Sequence, residues 1–202
     1  PLPPGHAVRA AALSPAQALR ALKREWLLYH LGDPRLRFMW DAPPPDEWVA
    51  LDCETTGLDV SKDEIIAIGA VRIVGNRIMT SERLELIVRP EKRKLSADSV
   101  KVHRLREQDI AQGLKPEEAV MQLMHFIGSR PLVGYYLEFD LAMINRVVWP
   151  MLGMGLPQPR IEVSSLYHDY KHRQLPPYQQ QSVNIDLRFA TLMNDLDLPQ
   201  RD

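Results

Sequence analysis

Two carboxylates separated by a single residue end an apolar segment of the chain. Residues 49–58 read V-A-L-D-C-E-T-T-G-L, which places Asp52 and Glu54 on alternate positions before a glycine turn. In a β-strand such side chains share a face and lie about 6.6 Å apart along the strand. Neighbouring anions repel each other unless a proton or cation lies between them, and the hard divalent ions Mg²⁺ and Mn²⁺ prefer oxygen ligands. The spacing therefore indicates a metal site at a strand end.

The neighbours of this pair decide between a functional and an ordinary interpretation. An Asp-x-Glu pair alone is common on solvated strand faces and is weak support for catalysis. Residues 48–51 are, however, too apolar for an exposed edge strand. Directly after the acids, the chain has two hydroxyls, from Thr55 and Thr56. The backbone at Gly57 can be approached closely because glycine has no side chain. This context favours a functional site.

The composition is that of an ordinary soluble domain with an appendage. The chain has 202 residues, of which 45% are hydrophobic and 25% charged. The net charge of -1 neither indicates nor excludes a nucleic-acid partner. Because Cys53 is the single cysteine, no intramolecular disulfide is possible. With no visible export signal or membrane span, we expect a cytoplasmic protein without membrane contact.

Residues 1–47 are expected to form a helical extension that ends in a stiff linker at prolines 43–45. Ser14, Pro15 and Gln17 match a capping box with proline at the first helical position. The apolar stripe of this helix consists of Leu19, Leu22, Trp26 and Leu27. The stripe predicts packing against the main domain or a protein partner. Its basic residues fit a solvated face better than a DNA contact.

Residues 48–202 are expected to form a second unit of α/β type. The predicted strands are residues 48–54, 64–74, 78–88 and 131–135. The predicted helices are residues 116–127, 139–149, which Pro150 interrupts, and about 185–196. Strands that first meander and then alternate with helices predict a mixed sheet, with three antiparallel strands plus parallel ones, flanked by helices.

A second acidic motif suggests a family. Asp140 lies in the first turn of a predicted helix, where the helix dipole alone would favour an acid. The chain also contains, in order, D-x-E-T-T-G-L, His103 in S-V-K-V-H-R-L, and L-V-G-x-x-x-x-F-D-x-x-x-x-N. This ordered set resembles the DnaQ-like (DEDDh) exonucleases, which include the proofreading subunit of bacterial replicative polymerase. The resemblance runs from about residue 48 to the C-terminus and implies an RNase H-like fold.

Carried over residue by residue, the resemblance implies a nuclease site that uses two Mg²⁺ or Mn²⁺ ions. It makes Asp52 the bridging ligand, Glu54 a ligand on the nucleophile side and Asp140 a ligand of the other ion. The residues that would cradle the terminal nucleotide are Thr55, Thr56, Gly57 and Leu58. His103 would line the substrate groove, although an ordinary exposed loop histidine fits its sequence context equally.

Departures from the family pattern bear on substrate and activity. The second motif usually has His-Asn before its F-D, where this chain has Tyr135 and Tyr136. Base stacking and ordinary core packing are both open for this pair. The last motif of the family, His-x4-Asp, is absent from the 202 residues. We therefore expect a domain truncated at its C-terminus, weak or inactive as it stands, whose metal-dependent activity a downstream helix with this motif would restore.

The leading hypothesis is a 3′–5′ exonuclease that removes nucleotides from single-stranded DNA or RNA ends. The alternative is a catalytically deficient module that binds nucleic acid or docks on a protein through the N-terminal helix. A metal nuclease of different polarity on the same fold is a third possibility. The basic residues that either contact the phosphate backbone or lie in a solvated loop are Lys92, Arg93, Lys94 and Lys101.

Overall fold

The computed structural model describes residues 14–91, 107–180 and 182–199, which form one mixed sheet with helices around it. The strands are β1 (Glu47–Thr55), β2 (Ile65–Val74), β3 (Arg77–Ile87), β4 (Leu132–Gly134) and β5 (Arg160–Glu162). The helices are α1 (Pro15–Tyr29), α2 (Glu107–Ala111), α3 (Pro116–Ile127), α4 (Leu137–Leu152), α5 (Val163–Gln174) and α6 (Phe189–Asp195), with a 3₁₀-helix at Pro34–Trp40. No helix within these described ranges has the length and apolar composition needed to cross a membrane.

The sheet has the strand order β3-β2-β1-β4-β5. Strands β1, β2 and β3 pair antiparallel, whereas β4 pairs parallel with both β1 and β5. This arrangement confirms the predicted three-strand meander followed by parallel strands. The short strand β5 and helix α5 were not predicted.

The alternation along β1 separates the core from the opposite face of the sheet. Val49, Leu51 and Cys53 are buried and belong to the main hydrophobic core. Helices α3 and α4 supply much of the rest of that core, including Leu123 and Ile144. Because side chains alternate along a strand, Asp52 and Glu54 must point away from this core.

Helix α1 begins as predicted, with both hydrogen bonds of the Ser14–Gln17 capping box present. Its apolar stripe is largely solvent-exposed, since Leu19, Leu22 and Trp26 keep more than 60% of their surface accessible. The other side of α1 is attached to the chain that follows it, where Arg24 Nε donates to the Trp40 carbonyl (3.0 Å). This exposed part of the stripe is therefore not packed against the described part of the main unit.

The division between residues 47 and 48 stays a prediction. The side chains of Leu31, Leu36 and Met39 are buried and belong to the same hydrophobic core as the strands of the sheet. The segment between α1 and β1 thus contributes directly to the packing of the main unit.

The predicted interruption of a helix at Pro150 was wrong, because α4 continues to Leu152. Proline removes one backbone hydrogen bond close to the helix end, where the loss is smallest. Val148 and Leu152 are fully buried, and the Gly153 N–H closes the last turn onto the Trp149 carbonyl (2.8 Å). Burial of this last turn therefore outweighs the missing bond.

The predicted helix at 185–196 was too long at its start, since α6 begins only at Phe189. Asp186 falls inside the predicted range but lies before the helix. Its carboxylate accepts bonds from the Arg188 N–H (3.0 Å) and the Thr191 hydroxyl (2.7 Å). Such side-chain bonds compete with helical backbone bonds and hold this segment in a turn.

Candidate active site

The two acids of the first motif lie near the carboxyl end of β1. Asp52 pairs across the sheet with Gly69, and Glu54 pairs with Ala67. Asp52 is exposed and Glu54 is half-buried. Ala50, Gly69 and Val71 line a concavity beside Asp52. Asp52 is therefore accessible from this concavity on its side of the sheet.

The geometry of β4 explains how the distant Asp140 reaches the same place. The Val49 N–H donates to the Pro131 carbonyl (3.0 Å), so alternate N–H groups along β1 face β4. Strand β4 ends at Gly134. The Cys53 N–H therefore lies beyond the part of β1 that pairs with β4. Asp140 Oδ1 accepts that hydrogen bond at 3.2 Å. The first part of α4 thus brings the third acid to the edge of β1.

The three carboxylates influence one another electrostatically. Burial raises the pKa of Asp140 to about 7, and the charge of Asp52 adds to that rise. Partial desolvation raises the pKa of Asp52 as well, with the charge of Glu54 as the second cause. Burial, with the surrounding carboxylates, also raises the pKa of the Cys53 thiol well above its usual value, so this cysteine stays protonated. The site holds more negative charge than its surroundings neutralise.

Glu162, which the sequence did not bring to attention, fixes the start of α4. Its carboxylate accepts the N–H groups of Tyr136 and Leu137, both at 2.9 Å, and also bonds Ser164 at the start of α5. Although partial burial opposes it, these hydrogen bonds lower the pKa of Glu162. One side chain thus joins β5, α4 and α5 one helical turn from Asp140. No local signal indicated it, because glutamate is not among the residues preferred at a helix N-cap.

The threonines after the acids hold the turn that follows β1. The Thr55 hydroxyl donates to the Gly57 carbonyl (2.7 Å), and the Thr56 hydroxyl donates to Asp63 (3.0 Å). Asp63, a buried acid that sequence reasoning missed, also accepts the Asp59 N–H (2.9 Å). Leu58 is 86% exposed at the tip of this turn. The turn is therefore built around Asp63 and presents an apolar side chain to solvent.

Replacing Gly57 with Ala should destabilise this turn. An added Cβ would lie 2.5 Å from Oδ2 of Asp63, which the surrounding hydrogen bonds hold in place. Forcing an extra carbon into a packed site typically costs about 1–3 kcal/mol. We expect a loss of that size in the free energy of unfolding, measured with urea. Gly69→Ala is the matched control, because its Cβ would have 3.9 Å to the nearest atom. Equal stabilities of the two variants would contradict this account.

His103 and the basic residues Lys92, Arg93, Lys94 and Lys101 lie outside the described residues. Their expected roles in the substrate groove and along the phosphate backbone stay predictions. The other residues expected to contact metal or nucleotide all lie on β1, on the turn that follows it, or on α4.

The acids fit a divalent cation by their chemistry. In the described ranges, no three Asp, Glu, His or Cys side chains are arranged as a complete metal-binding group. Mg²⁺ is commonly bound through one or two carboxylates, with waters and substrate phosphate as the remaining ligands. Oxygen donors whose pKa values are raised by burial and by mutual repulsion are suited to that role. Asp52, Glu54 and Asp140 are the residues that would hold such an ion.

Comparison with known proteins identifies the family. The model of the exonuclease family (RNase_T) matches residues 49–175, more than half of the chain. The chain belongs to the exonuclease family. The matched region contains all three acids and the turn at residues 55–63. Its expected membership of the DnaQ-like exonuclease superfamily is confirmed.

Relatives of this chain include DNA polymerase III proteins. DNA polymerase III PolC-type of Thermotoga maritima is 29% identical over 119 residues, which cover 59% of this chain and 8% of the relative. DNA polymerase III subunit epsilon of Aquifex aeolicus is 28% identical over 119 residues, 56% of this chain and 55% of the relative. The chain thus spans from under a tenth to about half of these relatives.

A solved structure supports the fold assignment. Exonuclease I with bound product superposes with a TM-score of 0.63 at 13% identity, covering 79% of this chain and 40% of the other. At this level of identity the likeness concerns the fold alone. It confirms the expected RNase H-like arrangement of a mixed sheet flanked by helices.

Proposed function

We propose that this exonuclease shortens single-stranded DNA or RNA from the 3′ end. The observation that carries the proposal is the attachment of Asp140 to the Cys53 N–H, which assembles acids from β1 and α4 in one place. Their raised pKa values support a site that binds cations. The similarity to DNA polymerase III components supports nucleic acid as the substrate class.

The residues of the site have separate roles in this proposal. Two divalent ions, when bound, would activate water and neutralise charge on the phosphate. Asp52 and Glu54 hold ions on the accessible side of the sheet, and Asp140 binds from the edge. Leu58, together with Thr55, Thr56 and Gly57 at the turn, contacts the terminal nucleotide, and His103 lines the groove. The exposure of Leu58 supports its part in this arrangement.

Product analysis tests the polarity and the metal requirement together. A single strand labelled at its 5′ end should give a ladder of shortened labelled products in Mn²⁺, and none in excess EDTA. The same strand labelled at its 3′ end should release a labelled mononucleotide first. Release of a mononucleotide from the 5′ end would contradict the proposed polarity. Equal cleavage in EDTA would contradict the metal mechanism.

A second function is favoured by one observation, the lack of a His-x4-Asp interval in the 202 residues. Without it, the chain would bind single strands or a protein and hydrolyse little. A chain that binds the strand in Mn²⁺ but leaves its length unchanged would favour this function. The expected weak activity of these residues, and its restoration by a downstream helix carrying the motif, stay predictions.

The exposed stripe of α1 supports a protein partner. Leu19, Leu22 and Trp26 present apolar surface away from the core. We propose such a partner without specifying which kind of protein it is. The expected cytoplasmic location also stays a prediction.

A further inference from the structure

Three aromatic rings form a cluster where β4 ends. Tyr135 contacts Tyr136, with ring centroids 4.4 Å apart, and contacts Phe189 of α6, with centroids 5.2 Å apart. We call Tyr135, Tyr136 and Phe189 the aromatic cluster. Tyr136 is 56% exposed and Phe189 55%. Ordinary core packing therefore does not account for these two rings.

Hydrogen bonds hold the aromatic cluster in place. The Tyr135 hydroxyl donates to the Leu187 carbonyl (2.7 Å), which fixes the central ring against the segment before α6. The Tyr136 N–H donates to Glu162 (2.9 Å). Tyr136 also adopts a left-handed backbone conformation, with φ 53° and ψ 35°. Non-glycine residues adopt that region uncommonly, and here the hydrogen bond to Glu162 holds the backbone in it. The exposed ring is thus pre-positioned.

The cluster and the acids lie at the same end of the sheet. Tyr135 and Tyr136 directly follow β4, which runs parallel to β1, so both strands deliver their next residues to one side. Asp140 is four residues after Tyr136, about 6 Å along the axis of α4. The family pattern has a polar His-Asn pair at the positions of the two tyrosines. This chain therefore has an aromatic surface where its resemblance implies polar side chains.

We propose that the aromatic cluster stacks an unpaired base of the strand whose terminal phosphodiester lies at Asp52 and Asp140. The inference rests on the proposed nuclease function and specifies its substrate as a strand with unstacked bases. Each base offers a flat apolar face, so stacking on a fixed tyrosine ring recognises single strands without reading sequence. Tyr136 supplies the contact, Tyr135 packs against its ring, and Phe189 packs against Tyr135.

Binding of strands with and without bases tests this inference. Tyr136→Asn is the main variant, because asparagine adopts the left-handed conformation readily and removes the ring. The probe is a fluorescein-labelled dT12 strand, compared with versions carrying abasic sites at successive positions from the 3′ end. Anisotropy is measured in Ca²⁺, and circular dichroism checks folding. Tyr136→Phe tests whether the ring alone suffices. Tyr170→Leu, which removes a half-exposed ring on α5, is the control.

Tyr136→Asn should weaken binding of intact dT12 roughly 10- to 100-fold, the usual range for losing one stacked base. When the abasic site lies at one particular position, the wild type should lose as much affinity. The variant should lose no further affinity at that position. Tyr136→Phe should keep the base-dependent affinity. Equal losses by Tyr136→Asn on intact and abasic strands, or none, would overturn the inference while leaving the nuclease proposal intact. A wild-type chain that neither binds nor shortens the strand would overturn the proposed function, and this inference with it.

Discussion

Replacing Asp52 with Asn should reduce Mn²⁺-dependent shortening of a single strand by roughly 100-fold or more. Partners that only orient a metal ligand typically contribute 10- to 100-fold, so loss of a direct ligand should exceed that range. The amide is nearly the same size as the carboxylate, and Asp52 is exposed, so the fold should be unaffected. Initial rates on a labelled oligonucleotide measure the effect. Calorimetric titration with Mn²⁺ checks the same ligand without turnover.

Glu85→Gln is the matched control for this change. Glu85 and Asp52 both pair with Gly69, from opposite sides, so the two acids share one face of the sheet about 10 Å apart. Glu85 is exposed and bonds Arg83 (3.0 Å). If general negative charge on this face attracts the metal, both variants should lose rate alike. If Asp52 is a ligand, the control should keep the wild-type rate, and similar losses would refute that assignment.

The sequence was sufficient to predict the first half of the sheet. The strands β1 to β3 begin and end within one residue of their expected bounds, because buried positions repeat with a strong pattern and Gly75 marks the hairpin. The pairing of Asp52 and Glu54 on one face follows from the period of a strand alone. Asp140, by contrast, was assigned to the site because the chain resembles the exonuclease family. Without that resemblance, the helix dipole alone explains an acid in the first turn of a helix.

The remaining features depend on contacts that no local pattern encodes. The hydrogen bond from the Cys53 N–H to Asp140 exists because β4 stops early relative to β1, a property of pairing between distant segments. The roles of Glu162 and Asp63 likewise depend on N–H groups that the fold brings to them. The local sequence pattern predicted α6 too long, because side-chain hydrogen bonds hold its expected first residues in a turn. It predicted α4 too short, because burial of the last turn stabilises the helix beyond Pro150.

Replacing Asp140 with Asn should stabilise the metal-free chain above neutral pH. The pKa of Asp140 is about 7 in the folded chain, against an ordinary value of 3.8. As pH falls below 3.8 the acid becomes protonated in both states and its contribution disappears. As pH rises from 4 to 7 the unfolded chain releases this proton while the folded chain retains it, so the folded state loses stability. One pKa unit corresponds to about 1.4 kcal/mol, so we expect the variant to gain about 2–4 kcal/mol at pH 8.

Urea unfolding of both chains in EDTA, from pH 4 to 8, measures this linkage. The curves should lie closest together at pH 4 and separate as pH rises, while Asn still accepts the Cys53 N–H. Asp186→Asn is a control whose pKa shift has the opposite sign, because hydrogen bonds from Arg188 lower the pKa of that exposed acid. It should not stabilise the chain at any pH. Mn²⁺ should raise the stability of the wild type at pH 8 and that of Asp140→Asn much less, because the ion neutralises the repulsion among the acids. A wild type whose stability is independent of pH and of Mn²⁺ would show that the three acids do not form a coupled cation site.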